Sequence, residues 1–210
     1  MFALIDNQQI TKFYSGNRGV TLGDIQYPRS IFTLWNEAAR NAIGIFEVTV
    51  DTTNKKDEQW YTNTNVSYGV ESNKAVGSYG SSTAKAHADT TWTQDQIDDG
   101  DAPAGADTDT VAVEGLKTKK IRTVKSQAAS ILQNTDWYIV RKADANTAVP
   151  SAITTFRAAV RTKGAAMETL ITNASNTPAI ETLYTYVNTA DEGDPVVMER
   201  PLGEFPVLGS

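Results

Sequence analysis

The sequence predicts an α+β protein, with a β-rich amino-terminal domain carrying one helix and a carboxy-terminal helical hairpin domain. Three observations lead there. The first fifty residues hold short alternating or β-branched apolar runs separated by turn residues, ending in Ile43-Gly44-Ile45-Phe46-Glu47-Val48-Thr49-Val50. Residues 60–86 are rich in Tyr, Thr, Val and Ser and are punctuated by Gly69, Gly77 and Gly80. From Val113 to Tyr186 the apolar residues recur instead at helical spacing.

Taken in order, residues 1–14 carry two apolar runs broken at Asp6-Asn7-Gln8-Gln9, the pattern of a β-hairpin. Ser15-Gly16-Asn17-Arg18-Gly19 reads as a turn, and Val20 to Ile25 as a further strand closed by Tyr27-Pro28. Ser30 is placed to cap a helix over residues 31–41, with Ile31, Leu34, Trp35 and Ala38 on its buried side. Residues 43–50 form the clearest strand, and residues 60–86 a hairpin or meander fastened by Trp60 and Trp92. Residues 95–112 carry Asp95, Asp98, Asp99, Asp101, Asp107 and Asp109 among Gly, Pro and Ala, without apolar periodicity, and so read as an acidic linker. The expected organisation is therefore a β-rich docking domain over 1–94, that linker, a helical domain over 113–190, and an extended arm over 191–210 containing Pro195, Pro201 and Pro206.

In the helical part, Glu114 to Gln133 presents a stripe of Leu116, Val124, Ala128, Ile131 and Leu132. Asn134-Thr135-Asp136 breaks that helix, Trp137 to Val140 is a short apolar segment, and Ala143 to Val149 is turn-rich. Pro150 then opens a second helix, because the first turn needs no amide hydrogen from it. This helix runs through Ile153, Phe156, Val160, Met167, Leu170 and Ile171, with Gly164 as a weak point. A third, from Pro178 to Val187, buries Ile180, Leu183 and Tyr184.

Composition narrows the chemistry. A net charge of −6 and a pI near 4.8 set the whole molecule against a polyphosphate partner. The absence of cysteine removes disulfides, thiolate metal sites and thiol nucleophiles. The amino terminus lacks the basic stretch and apolar run of a secretory signal, so assembly in the cytoplasm and release by a route other than secretion are expected. His87 is the only imidazole, the carboxylates around Asp98 and Asp107 do not match a calcium loop, and no phosphate-cradling glycine motif occurs. No catalytic residue, metal site or cofactor is therefore expected. The run Lys117-Thr118-Lys119-Lys120-Ile121-Arg122-Thr123-Val124-Lys125 holds five positive charges in nine residues. It reads first as the wet face of a helix, and Lys117, Lys119 and Lys120 are candidates for contact with an acidic partner.

The segment from Leu132 to Lys142, then Val149-Pro150-Ser151-Ala152-Ile153 and Phe156-Arg157-Ala158-Ala159-Val160-Arg161, resembles a signature of bacteriophage tail-fibre assembly proteins and related tail proteins. The Tyr27-Pro28 step, the helix after it and the stretch from Ala42 to Val48 are similar to the amino-terminal module that often accompanies it, so the resemblance touches about half the chain. It implies a non-enzymatic virion protein of a tailed phage, connecting or orienting fibres at the tail or baseplate. Its partners would be other tail, fibre and baseplate proteins, within a homo-oligomer or symmetric assembly and without nucleic acid or membrane. Relatives also include dedicated fibre-assembly chaperones, and a host-directed binding protein is a third reading. In the helical hairpin that the signature describes, Trp137 would fill the corner left by Phe156 and Val160, and Asp136 would cap the local backbone. Arg157 and Arg161, one turn apart, would form a basic edge open to a partner.

Overall fold

The computed structural model describes residues 1–209 and is of mixed α+β class, as the sequence predicts. The chain divides into two compact units, Met1–Thr83 and Ala84–Ser210.

The first unit contains β1 (Phe2–Asp6), β2 (Gln9–Tyr14), β3 (Val20–Leu22), β4 (Ile25–Tyr27), α1 (Glu37–Ala42), β5 (Ile45–Asp51), β6 (Tyr61–Thr62), β7 (Val66–Glu71) and β8 (Lys74–Tyr79). It ends at β9 (Thr83–Ala84), which pairs with β6. The main sheet runs β2-β1-β5-β8-β7, parallel only between β5 and β8. Both of its hairpins turn on two residues with positive φ, Asn7 (49°) with Gln8 (63°) and Ser72 (48°) with Asn73 (60°), the turn whose twist matches that of the strands. The sheet curls until its outer strands meet, where Gln8 Nε2 donates to Asn73 Oδ1 at 2.8 Å and the Phe13 and Tyr68 rings lie 5.0 Å apart. Alternation along β1 turns Phe2 and Leu4 toward a core of Val20, Ile31, Phe32 and Ile45.

The helix expected over 31–41 is two pieces. Arg29–Phe32 is a 3-10 turn without a side-chain cap, and α1 begins only after Asn36, whose side chain accepts from the Ala39 amide at 2.8 Å. Leu34 lies between the pieces, 80% exposed, and not on a buried face. Ser30 offers no cap, and an asparagine six residues on does.

The second unit contains β10 (Thr90–Thr91), α2 (Gln94–Asp98), β11 (Val111–Val113), α3 (Leu116–Gln133), α4 (Asp136–Ala145), α5 (Ser151–Asn173), α6 (Thr177–Tyr184), β12 (Val187–Asn188) and β13 (Met198–Glu199). The acidic stretch 95–112 is not a linker. Thr93 and Gln96 form a reciprocal capping box on α2, Asp107 closes a turn with Thr110, and the paired strands β10 and β11 clamp both ends of the loop. Asp98 also accepts from Gln94 across α2, and the division of the chain falls before this stretch. Nor is 191–210 a free arm: β13 pairs with β12, the Leu202 amide donates to the Leu183 carbonyl at 3.0 Å, and Leu202, 2% exposed, joins Val124, Met167 and Ile171 in the core. The prolines forbid one regular element there, yet the apolar residues between them still bury. Gly164 lies buried within the unbroken α5, facing Ala128 and Phe205. Among the described residues, no helix is long and apolar enough to cross a membrane.

The amino terminus of α3 depends on a segment far behind it. Its N-cap, Gly115, has no side chain, and a Cβ there would run into the backbone of Ala88. The orphan amides of the first turn go instead to the carbonyls of Ala86 (from Leu116, 2.9 Å) and His87 (from Lys117, 3.0 Å). Asp89 completes the cap, accepting from the Gly115 amide at 2.6 Å and the Thr118 hydroxyl at 2.7 Å. The hydrogen bonds from Thr118 and then Gly115 hold the Asp89 carboxyl below its ordinary range. Asp89→Ala is expected to cost about 1 kcal/mol at neutral pH, the usual size of a lost N-cap. Since the folded-state value is the lower one, this stability is present above the ordinary carboxylate range and is lost as pH falls through the lowered value. Thermal melts should accordingly show the difference between variant and parent closing in acid.

Candidate functional site

The junction of α3, α4 and α5 gathers most of the residues that the sequence singles out. It is organised by Arg157. Along α5 the buried positions are Ile153, Arg157, Val160, Gly164, Met167 and Ile171, a row spaced alternately four and three that faces inward. Arg157 belongs to that row and is 7% exposed. Its Nη1 donates to the Leu132 carbonyl at 2.8 Å and to the Thr135 hydroxyl at 2.7 Å, and lies 2.8 Å from Asp136 Oδ1. Thr135, itself buried, donates in turn to the Leu132 carbonyl at 2.9 Å. One guanidinium thus ties the last turn of α3 to the first residue of α4.

Two expectations are overturned here. Arg157 does not form a basic edge with Arg161: it points into the corner, while Arg161, off the inward row, is exposed. Trp137 does not plug the bend. The corner is filled by the Arg157 guanidinium and the Thr135 side chain, and the indole is turned out, 51% exposed. It stacks on Tyr138 with ring centroids 3.9 Å apart, and the Arg141 guanidinium lies 4.7 Å from the indole centre. Asp136 is the first helical residue of α4 and answers Arg157, and Pro150 stands at the N-cap of α5. Phe156 lines an apolar cavity of about 320 Å³ with Ile131, Thr135, Phe205 and Leu208.

The expected short apolar segment is the helix α4, and it has no buried residue. Ile139 is exposed and Val140 is 65% exposed, so the helix presents an indole and two aliphatic side chains beside Arg141. The basic run on α3 behaves differently. Lys117 Nζ donates to the Thr172 carbonyl at 2.8 Å, Lys120 lies over the Tyr184 ring, Arg122 pairs with Glu114, and Lys125 lies 3.5 Å from Glu168. Of the three lysine candidates only Lys119 stands exposed. The run fastens α3 within its own unit.

Among the described residues, no group of three or more His, Asp or Glu side chains could hold a metal ion. Compared with known proteins, the chain matches no family model, no curated protein and no solved structure.

The geometry assigns opposite costs to two neighbouring residues. Arg157→Met removes charged hydrogen bonds from a buried corner and should lower stability by roughly 2 kcal/mol. Trp137→Ala, on a helix with no buried residue, should change it by less than about 1 kcal/mol. Chemical denaturation of both variants checks the order, and a larger loss at Trp137 would return the indole to the core.

Proposed function

We propose that the chain is a structural virion protein of a tailed bacteriophage, connecting or orienting tail fibres at the tail or baseplate through protein contacts, with α4 as a contact element. The observation that carries this reading is the exposed Trp137, Ile139 and Val140 on a helix that buries nothing. Tryptophan and arginine are the residues that anchor protein interfaces, and Trp137, Val140 and Arg141, three and four residues apart, share one face of α4, with Ile139 exposed elsewhere on it. Residues 132–142 and 149–161, which carry the resemblance to tail proteins, are those that build the Arg157 corner and display α4. The paired basic run favours protein over nucleic acid as the partner.

Mass spectrometry of purified particles should find the chain at fixed stoichiometry. Its presence only in infected-cell lysate would assign it to fibre assembly as a helper. A Trp137→Asp, Val140→Asp double variant should melt like the parent yet lose incorporation, since an interface anchor is worth about 2 kcal/mol or more, roughly thirtyfold in affinity. Full incorporation of that variant would remove α4 from the contact.

A further inference from the structure

We infer that the first unit carries a binding cleft for an anionic sugar, a saccharide ring bearing a phosphate or carboxylate, at the turn between β2 and β3. The cleft encloses about 470 Å³, a volume suited to a small organic ligand, and its walls are the ten consecutive residues from Lys12 to Thr21. Lys12 and Arg18 are among them and no acid is, in a chain whose net charge is −6. The local potential therefore opposes that of the molecule. Neither cation takes part in an ion pair among the described residues; Lys12 only lies 5.5 Å from the centre of the Tyr14 ring. On α3, by contrast, Lys117, Lys120, Arg122 and Lys125 are all tied down within their own unit. Two uncommitted charges at one concavity can both turn to a single oxyanion.

The turn that holds them is fixed in advance. Gly16 has φ +78°, and a Cβ on it would come within 3.0 Å of the buried side of the Phe2 ring. Gly19 approaches so closely that a Cβ would lie 2.6 Å from the Tyr27 carbonyl oxygen. Ser15 donates to Asn17 Oδ1 at 2.5 Å across the bend, and Val20 is anchored in the core. The backbone of the turn therefore needs little ordering on binding, and the entropic cost falls on the Lys12 and Arg18 side chains. The other walls suit a sugar body: the Asn17 amide nitrogen and the Thr21 hydroxyl can answer ring hydroxyls.

The full chain can be titrated with glucose phosphate, glucuronate, glucose and inorganic phosphate while the backbone amides of Gly16, Asn17 and Gly19 are followed by heteronuclear NMR. Both anionic sugars are expected to shift these signals, more weakly as salt rises, and to bind more tightly than glucose or inorganic phosphate. The Lys12→Met, Arg18→Gln double variant, altered only on the surface, should melt like the parent and lose at least about tenfold in affinity. Turn signals that respond to no anion, or affinity unchanged in the double variant, would overturn the site. Inorganic phosphate binding as tightly as glucose phosphate would overturn the sugar assignment.

Discussion

The architecture of the helical unit turns on a single buried guanidinium. Arg157 sits where a continuous apolar seam along α5 would otherwise place a leucine, and it meets the carbonyl, hydroxyl and carboxylate that the α3–α4 junction leaves pointing inward. Arginine suits this place because its planar fork carries several donors and keeps its charge when desolvated. Burying the charge is tolerable because Asp136, half in water, answers it without being fully desolvated itself. Filled by Arg157, the corner sets α4 outside, and Trp137 with it.

The same economy governs α3, the helix against which α5 packs. One of its ends is held by the Arg157 corner. The other is held by Ala86, His87 and Asp89, so that both termini depend on residues distant along the chain. The one histidine of the chain thus acts through its backbone carbonyl. Between the two ends the lysines and arginine of the basic run brace α3 with contacts to Thr172, Tyr184, Glu114 and Glu168. A helix secured at both termini and along its flank is a rigid base for the short one that follows it.

What the sequence made legible was local. The hairpin break at Asp6-Asn7-Gln8-Gln9, the strand ending at Asp51, the start of α5 behind Pro150 and the extent of α3 all follow from turn chemistry and periodicity within a few residues. Partners distant along the chain were hidden: Asp89 caps a helix 26 residues on, and the 95–112 loop is closed where β11 at its end pairs with β10 before its start. Arg157 was hidden for a different reason. Its place in the row with Ile153, Val160 and Ile171 was visible, but arginine is assigned to the surface by habit of composition, and the periodicity carried the truer signal. Trp137 is the mirror image: a large apolar residue reads as core, though its short helix holds no buried position at all.

The exposed apolar residues of the second unit stand out against polar groups that are in good part engaged nearby. Asp107 of the 93–110 loop closes a turn, and the α3 bases are mostly paired. In the last hairpin Glu204 binds Arg200 through both oxygens and accepts from Tyr186, while Tyr186, Val187, Val197 and Met198 remain in water around that clasp. Each large apolar side chain left half in water forgoes on the order of 1 kcal/mol of burial that a better-packed sequence would gain. The second unit thus leaves an indole, two aliphatic side chains and apolar residues of its last hairpin uncovered. On the proposed reading those surfaces would gain their burial from a partner, and this is why that reading rests on α4 and not on any charge of the chain.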